Sequence, residues 1–157
     1  MRPLLVLLSL AMFACSSAPE AKAPAEQPAG VSPQAYLDKA AAEPGAVKTA
    51  SGLVYRELRA GTGASPSASD TVKVNYRGTL VDGTEFDSSY KRNEPISFPL
   101  NGVIPCWTEG VQKMKVGGKS QLVCPSSIAY GDRGSPPVIP GGATLIFEVE
   151  LLGIGPS

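Results

Sequence analysis

Residues 71–80 (TVKVNYRGTL) alternate cleanly, with Val72, Val74 and Tyr76 on one side and Lys73, Asn75 and Arg77 on the other. A helix would scatter these residues around its circumference, so the segment can bury an apolar face only as a β-strand with one side on a core. Asp82-Gly83 is a turn signal, and Thr84–Phe86 begins the returning strand. The same period governs Ala143–Ile154, where Leu145, Phe147, Val149 and Leu151 share a face. Gly118–Cys124 reads as another strand, and Leu53, Tyr55 and Leu58 mark one more. Against these stands one helical candidate, Trp107–Met114, whose Trp107, Val111 and Met114 fall at i, i+4 and i+7, with Gly110 weakening it. Antiparallel strands and a single short helix predict an α+β domain, a twisted sheet wrapped on that helix.

Composition excludes most familiar chemistry. The 157 residues include no His and three Cys, so Ser-His-Asp and Cys-His catalysis, imidazole zinc sites and a four-cysteine zinc site are all ruled out. No metal is expected. Lys+Arg and Asp+Glu are 14 each with no basic run, which argues against nucleic acid as a partner. Gly (17) and Pro (15) make up about a fifth of the chain, against a usual ~12%, and mark many turns.

The N-terminus reads as an export signal. Met1-Arg2 is a minimal positive region, and Leu4–Phe13 is apolar over a secretory length, too short to span a bilayer as a mature helix. Ala14-Cys15-Ser16 resembles a bacterial lipoprotein cleavage box, although Met12 and Phe13 fit it poorly. The alternatives are an ordinary signal peptide cut nearby and an uncleaved anchor. In the lipoprotein reading residues 1–14 are a signal peptide and Cys15 is lipidated. Ser16 after the Cys resembles the signal for the outer membrane of a Gram-negative cell, facing the periplasm. Residues 15–30 are rich in Ala, Pro and Glu with no large apolar residue, and read as a flexible tether. Residues 31–46 hold a short helix: Ser32 is the expected N-cap, Pro33 the first helical residue, and Gln34–Ala42 its body, ended by Pro44-Gly45. Its apolar face (Tyr36, Leu37, Ala40) is thin, so it must dock on something. The remaining domain is 47–157.

Two loops, Asp87–Pro95 and Tyr130–Gly142, stand out. The second holds Val138 and Ile139, apolar residues that either cap the core or line a pocket.

Five blocks in order, VNYRGTLVDGTEFDSS (74–89), VIPCW (103–107), EGVQKMKVGGKSQL (109–122), IAYGDRG (128–134) and IPGGATLIFEVELL (139–152), resemble FKBP-type peptidyl-prolyl cis-trans isomerases. The resemblance covers roughly Ser51 to Gly155. It implies an FKBP-like half-barrel, an antiparallel sheet around one short α-helix with the active pocket between them. The helix before the domain resembles a remnant of the dimerising arm of exported, Mip-like bacterial members, so a monomer is expected. The implied function is isomerisation of X-Pro bonds in exported proteins as they fold. The alternative is a non-catalytic chaperone or surface-binding lipoprotein that uses the pocket as a docking groove, and a purely structural lipoprotein would need no pocket.

The chemistry asks for little. An X-Pro bond turns over a barrier of ~18–20 kcal/mol through a twisted amide, with no proton transferred and no covalent bond formed. An apolar slot, low local polarity and a few hydrogen-bond donors suffice, and no cofactor is needed. Position by position, the resemblance implies Trp107 as the floor under the proline ring. Tyr76, Phe86, Val103, Ile104 and Phe147 are implied as walls, Val138 and Ile139 as a contribution from the Gly/Pro loop, and Ile96 and Phe98 as the facing strand. Tyr130 is implied to offer its hydroxyl, and Ile104 its backbone N–H, to substrate carbonyls, with Asp87 acting on the twisting amide. The catalytic set is thus Tyr76, Phe86, Asp87 and Tyr130. Bland readings stand beside these: Trp107 as ordinary core, Tyr130 as a loop anchor, Asp87 as a turn cap or partner of Arg92. Ile96 stands where many members carry an aromatic ring, Ser127 where many bacterial members carry Asp, and Ser135 where some carry His. These departures bear on substrate preference and on affinity for macrolide inhibitors. Cys106 takes the place of the Gly usual in the VIPGW-type motif. It and Cys124 are either a disulfide joining helix to strand or two buried thiols.

Overall fold

The computed structural model describes residues 32–155. The expected signal peptide (1–14), the Cys15 lipidation site and the 15–30 tether therefore lie outside the described residues.

The elements, in chain order, are α1 (Pro33–Ala41), β1 (Ala46–Lys48), β2 (Val54–Arg59), β3 (Thr71–Leu80), β4 (Glu85–Ser88), α2 (Ser89–Arg92), β5 (Ile96–Pro99), α3 (Pro105–Val111), β6 (Lys119–Cys124) and β7 (Leu145–Gly155). Single 3-10 turns lie at Leu100–Gly102 and Ser126–Ile128. The strands form one seven-stranded sheet in the order β1-β2-β6-β7-β3-β4, with β5 also on β3. All pairings are antiparallel. The α+β sheet expected from the alternation is thus the architecture found, in the half-barrel form that the family resemblance implies.

The free edge of β3 is shared. β5 pairs with its first residues, Thr71–Val74, and β4 with its last, Arg77–Thr79. Between them the Tyr76 N–H has no strand partner, and it donates instead to the Ser89 hydroxyl at 2.9 Å. Ser89 is fully buried there, because an unmet backbone N–H in the interior is costly. The expected loop at Asp87–Pro95 is therefore partly structured: its first two residues close β4, and the next four make the turn of α2.

The inner face of the sheet and α3 enclose the main core. Val72, Val74 and Tyr76 of β3 and Leu145, Phe147, Val149 and Leu151 of β7 all point inward, as the alternation predicts. The helix expected over Trp107–Met114 begins earlier, at Pro105, and ends at Val111. Met114 lies beyond it yet is buried at 1% exposure, so the i, i+4, i+7 stripe marks core rather than helix length. Gly110 has a packing reason. A Cβ there would stand 2.7 Å from Leu122 Cδ2, so any larger residue must displace the fully buried Leu122 side chain. The Cys106–Cys124 disulfide joins the first turn of α3 to the last residue of β6. Closing this short loop contributes about 3 kcal/mol by the chain-entropy argument.

α1 begins as read. The Ser32 side chain accepts from the Ala35 N–H at 3.2 Å, with Pro33 inside the first turn. Leu37 and Ala40 pack on Val54, Val123 and Ile146, on the sheet face opposite the main core. An Arg56–Glu43 ion pair and a Lys48–Asp38 contact at 3.5 Å flank this junction. The helical segment thus docks on its own domain, and β1 runs across the expected 46/47 boundary.

Candidate active site

A cavity of about 420 Å³ opens between α3 and the inner face of the sheet. Its floor is Trp107, only 4% exposed. α3 places the indole so that three aromatic rings meet it edge to face: Tyr76 at 5.2 Å, Phe147 at 5.4 Å and Phe98 at 5.5 Å between centroids. Phe86 stands against Phe147 in the same manner at 5.5 Å. Edge-to-face pairs are each worth about 0.5–1.5 kcal/mol beyond area burial. The aromatic wall is therefore packed into shape without a ligand.

One glycine permits this arrangement. Gly78 faces inward on β3, and a Cβ there would stand 2.5 Å from Phe86 Cζ and 3.0 Å from Phe147 Cε1. The rings close on each other only because position 78 has no side chain. The signal was legible, since a glycine inside an alternating strand marks close approach, but the partner approaching it was not.

The polar groups sit at the cleft edge. The Tyr76 hydroxyl donates to Asp87 Oδ2. Asp87 Oδ1 accepts from Arg92 Nη1 at 2.8 Å and from the Ser88 N–H at 2.9 Å, and Arg92 Nη2 reaches the Tyr76 hydroxyl at 3.3 Å. Burial pushes Asp87 up, but the Tyr76 and Arg92 hydrogen bonds, the Arg92 charge and the Ser88 N–H outweigh it. They hold the carboxyl below its ordinary range. Burial, with the Asp87 bond behind it, pushes the Tyr76 phenol up. The carboxylate is ionised and the phenol neutral across physiological pH. Arg92 belongs to the site through both Asp87 and the Tyr76 hydroxyl, beyond the pairing with Asp87 that the sequence suggests.

The structure brings together Tyr76, Phe86, Asp87, Phe98, Val103, Ile104, Trp107, Tyr130 and Phe147 around the one cavity, with Gly102 as an unexpected lining residue. Tyr130 is 41% exposed at the rim, and its hydroxyl has no protein partner among the described residues. Ile104 opens α3, and its N–H donates to no protein group among the described residues.

Three expected residues do not line the cavity. Ile96 packs against the core instead. Val138 is 53% exposed, whereas Ile139 is 5% exposed and belongs to the core. The reason is a two-way bridge: Ser135 N–H to Ile139 O at 2.9 Å and Ile139 N–H to Ser135 O at 3.0 Å. The bridge closes a turn over Pro136–Val138, so Ile139 at its base caps the core while Val138 stands out on the turn. Among the described residues no group of three His, Cys, Asp or Glu side chains could hold a metal. The arrangement offers an aromatic slot, one ionised carboxylate beside it, and unused donors at its mouth.

Residues 63–152 match the family model for FKBP-type peptidyl-prolyl cis-trans isomerases. The FKBP-type peptidyl-prolyl cis-trans isomerase FkpA of Escherichia coli strain K12 is 54% identical over 122 residues, which cover 78% of this chain and 45% of that protein. The peptidyl-prolyl cis-trans isomerase Mip of Coxiella burnetii is 45% identical over 121 residues, covering 77% of this chain and 53% of its own. The crystal structure of FkpA from Escherichia coli superposes with a TM-score of 0.77 at 53% identity, covering 79% of this chain and 58% of that one. The chain thus spans about half the length of the curated relatives it matches.

Proposed function

Because the chain belongs to the FKBP-type peptidyl-prolyl cis-trans isomerase family, we propose that its aromatic cleft accelerates cis/trans exchange of X-Pro bonds in folding polypeptides. The observation that carries this reading is the Trp107 floor. It is a flat indole held edge-on by three aromatic rings, in a cavity with room for a proline ring and the residue before it.

In the mechanism proposed, the proline ring lies on Trp107 between Tyr76, Phe86, Phe98 and Phe147. The planar amide is more charge-separated than the twisted one, so a water-poor aromatic site favours the twisted state. The Ile104 N–H and the Tyr130 hydroxyl hold the flanking carbonyls, which keeps one side of the bond still while the other rotates. Asp87, fixed by Arg92, Tyr76 and the Ser88 N–H, directs its carboxylate field at the rotating amide. Each ~1.4 kcal/mol removed from the barrier is a tenfold gain in rate. No proton moves, which accords with a chain that lacks histidine.

The same proposal covers what precedes the domain. Residues 1–14 export the chain, Cys15 takes the lipid, and residues 15–30 hold the domain off an outer membrane on its periplasmic side. The clients are exported proteins, and the domain acts as a monomer because α1 spends its apolar face on its own sheet. A macrolide FKBP inhibitor would compete for the Trp107 slot.

The test is exchange of a peptide with Leu before Pro, with and without that inhibitor. Acceleration that the inhibitor abolishes is expected. Folded protein that leaves exchange at its spontaneous rate would overturn the enzyme reading in favour of a non-catalytic docking module.

A further inference from the structure

Cys106 lies one residue before the cleft floor, in the first turn of α3, and Cys124 ends β6. Their Cα atoms are 5.8 Å apart, and both residues are fully buried. Downstream of Cys124 a single 3-10 turn, Ser126–Ile128, leads to Tyr130 on the cleft rim. The cross-link thus joins the two segments that carry the floor and the rim. α3 has only seven residues, and its N-cap, Ile104, has no side-chain acceptor to cap the N–H groups of the first turn. Its far end is keyed to the sheet by Gly110 against Leu122. The Thr108 hydroxyl bonds Leu100 O at 2.6 Å, within the same connection, and does not tie the helix to the sheet. The Glu109–Ser51 bond is an exposed contact to the turn before β2. At the cleft end the covalent tie to the sheet is the disulfide.

We infer that the Cys106–Cys124 disulfide is a positioning element of the cleft, fixing Trp107 against the Tyr130 rim, so that its reduction lowers affinity for X-Pro ligands while the domain stays folded. A dithiol supplies two electrons and two protons. The Sγ–Sγ bond becomes two thiols, and the reductant closes into its own disulfide. Freed of this tie, the cleft end of α3 is held only by non-covalent packing, chiefly of Trp107 on Tyr76, Phe98 and Phe147, so the helix can tilt there and the indole moves with it. Misplacement by about 1 Å is enough to cost on the order of a hundredfold in a positioned site.

The inference rests on the isomerase reading for its kinetic arm only. The full chain is compared in three forms: oxidised, dithiol-treated with thiols counted, and Cys106→Ala/Cys124→Ala. A thermal melt sets a temperature at which each form is folded. Trp107 is the only tryptophan, so its emission reports the floor directly. The expected result is shifted emission and a raised KM in both cross-link-free forms, with kcat/KM about tenfold lower, and no response of the alanine pair to dithiol. The alanine pair supplies the cross-link-free form even if the reductant fails to reach the buried sulfurs. Identical emission and KM in folded, cross-link-free protein would overturn the inference. So would an alanine pair that folds at no temperature, since the bond would then determine the fold. If the oxidised chain is itself inactive, the isomerase reading fails alone, and the emission comparison still decides this one.

Discussion

Asp87 is the residue on which the electrostatics of the cleft turn. Its carboxyl sits below the ordinary aspartate value of about 3.9, held there by Tyr76, Arg92 and the Ser88 N–H against its burial. The folded state therefore binds fewer protons than the unfolded one in mild acid. The stability Asp87 contributes is complete above about pH 4 and is lost as pH falls through its lowered folded value. Arg92→Ala should raise the Asp87 midpoint, read by NMR titration of the side-chain carbon, towards the ordinary value. An unmoved midpoint would remove Arg92 from the site. Asp87→Ala should lower kcat/KM for X-Pro exchange by about tenfold or more, ~1.4 kcal/mol. With no histidine in the chain, exchange should be flat from about pH 5 to 8. A bell-shaped profile there would contradict a mechanism without proton transfer. At this scale Tyr76, Phe86, Asp87 and Trp107 were legible through a family resemblance alone, because their types fit a core or a turn equally well. Arg92 and Gly78 were not assigned to the site because their roles lie in what they meet across the fold.

Among the elements, β3 and β7 were the most legible, since the alternation of Val72, Val74 and Tyr76 and of Phe147, Val149 and Leu151 with polar residues has one physical reading. β5 and α2 had no comparable pattern of their own. β5 is placed by the free edge of the long β3, and α2 by its Ser89 hydroxyl, which accepts from the Tyr76 N–H on that same edge. Val138 and Ile139 illustrate the opposite limit. Two adjacent apolar residues in a turn-rich loop leave their directions open until the Ser135–Ile139 bridge sets them. Two substitutions separate cleft from scaffold. Gly78→Ala drives a methyl into Phe86 and Phe147, and should cost about 1–3 kcal/mol of stability together with most of the exchange activity. Leu37→Ala hollows the α1 junction on the opposite face, and should cost about 2 kcal/mol in a denaturant melt with kcat/KM unchanged. Equal activity loss in both variants would mean that the two faces are coupled.

For the whole molecule, one sheet serves two purposes. Its inner face holds the core and the cleft, while its outer face takes α1. Since α1 is satisfied within its own chain, sedimentation of the soluble chain should give a monomer at micromolar concentration, and a stable dimer would contradict the docking seen here. In the mechanism proposed, the Trp107 cleft itself turns the X-Pro bond. The most direct measurement is NMR exchange spectroscopy on a Leu-Pro peptide with the unaltered chain, Phe86→Ala and Leu37→Ala, each verified as folded. Fast exchange is expected with the first and third and near-spontaneous exchange with Phe86→Ala. Undiminished exchange with Phe86→Ala would place the activity outside this cleft.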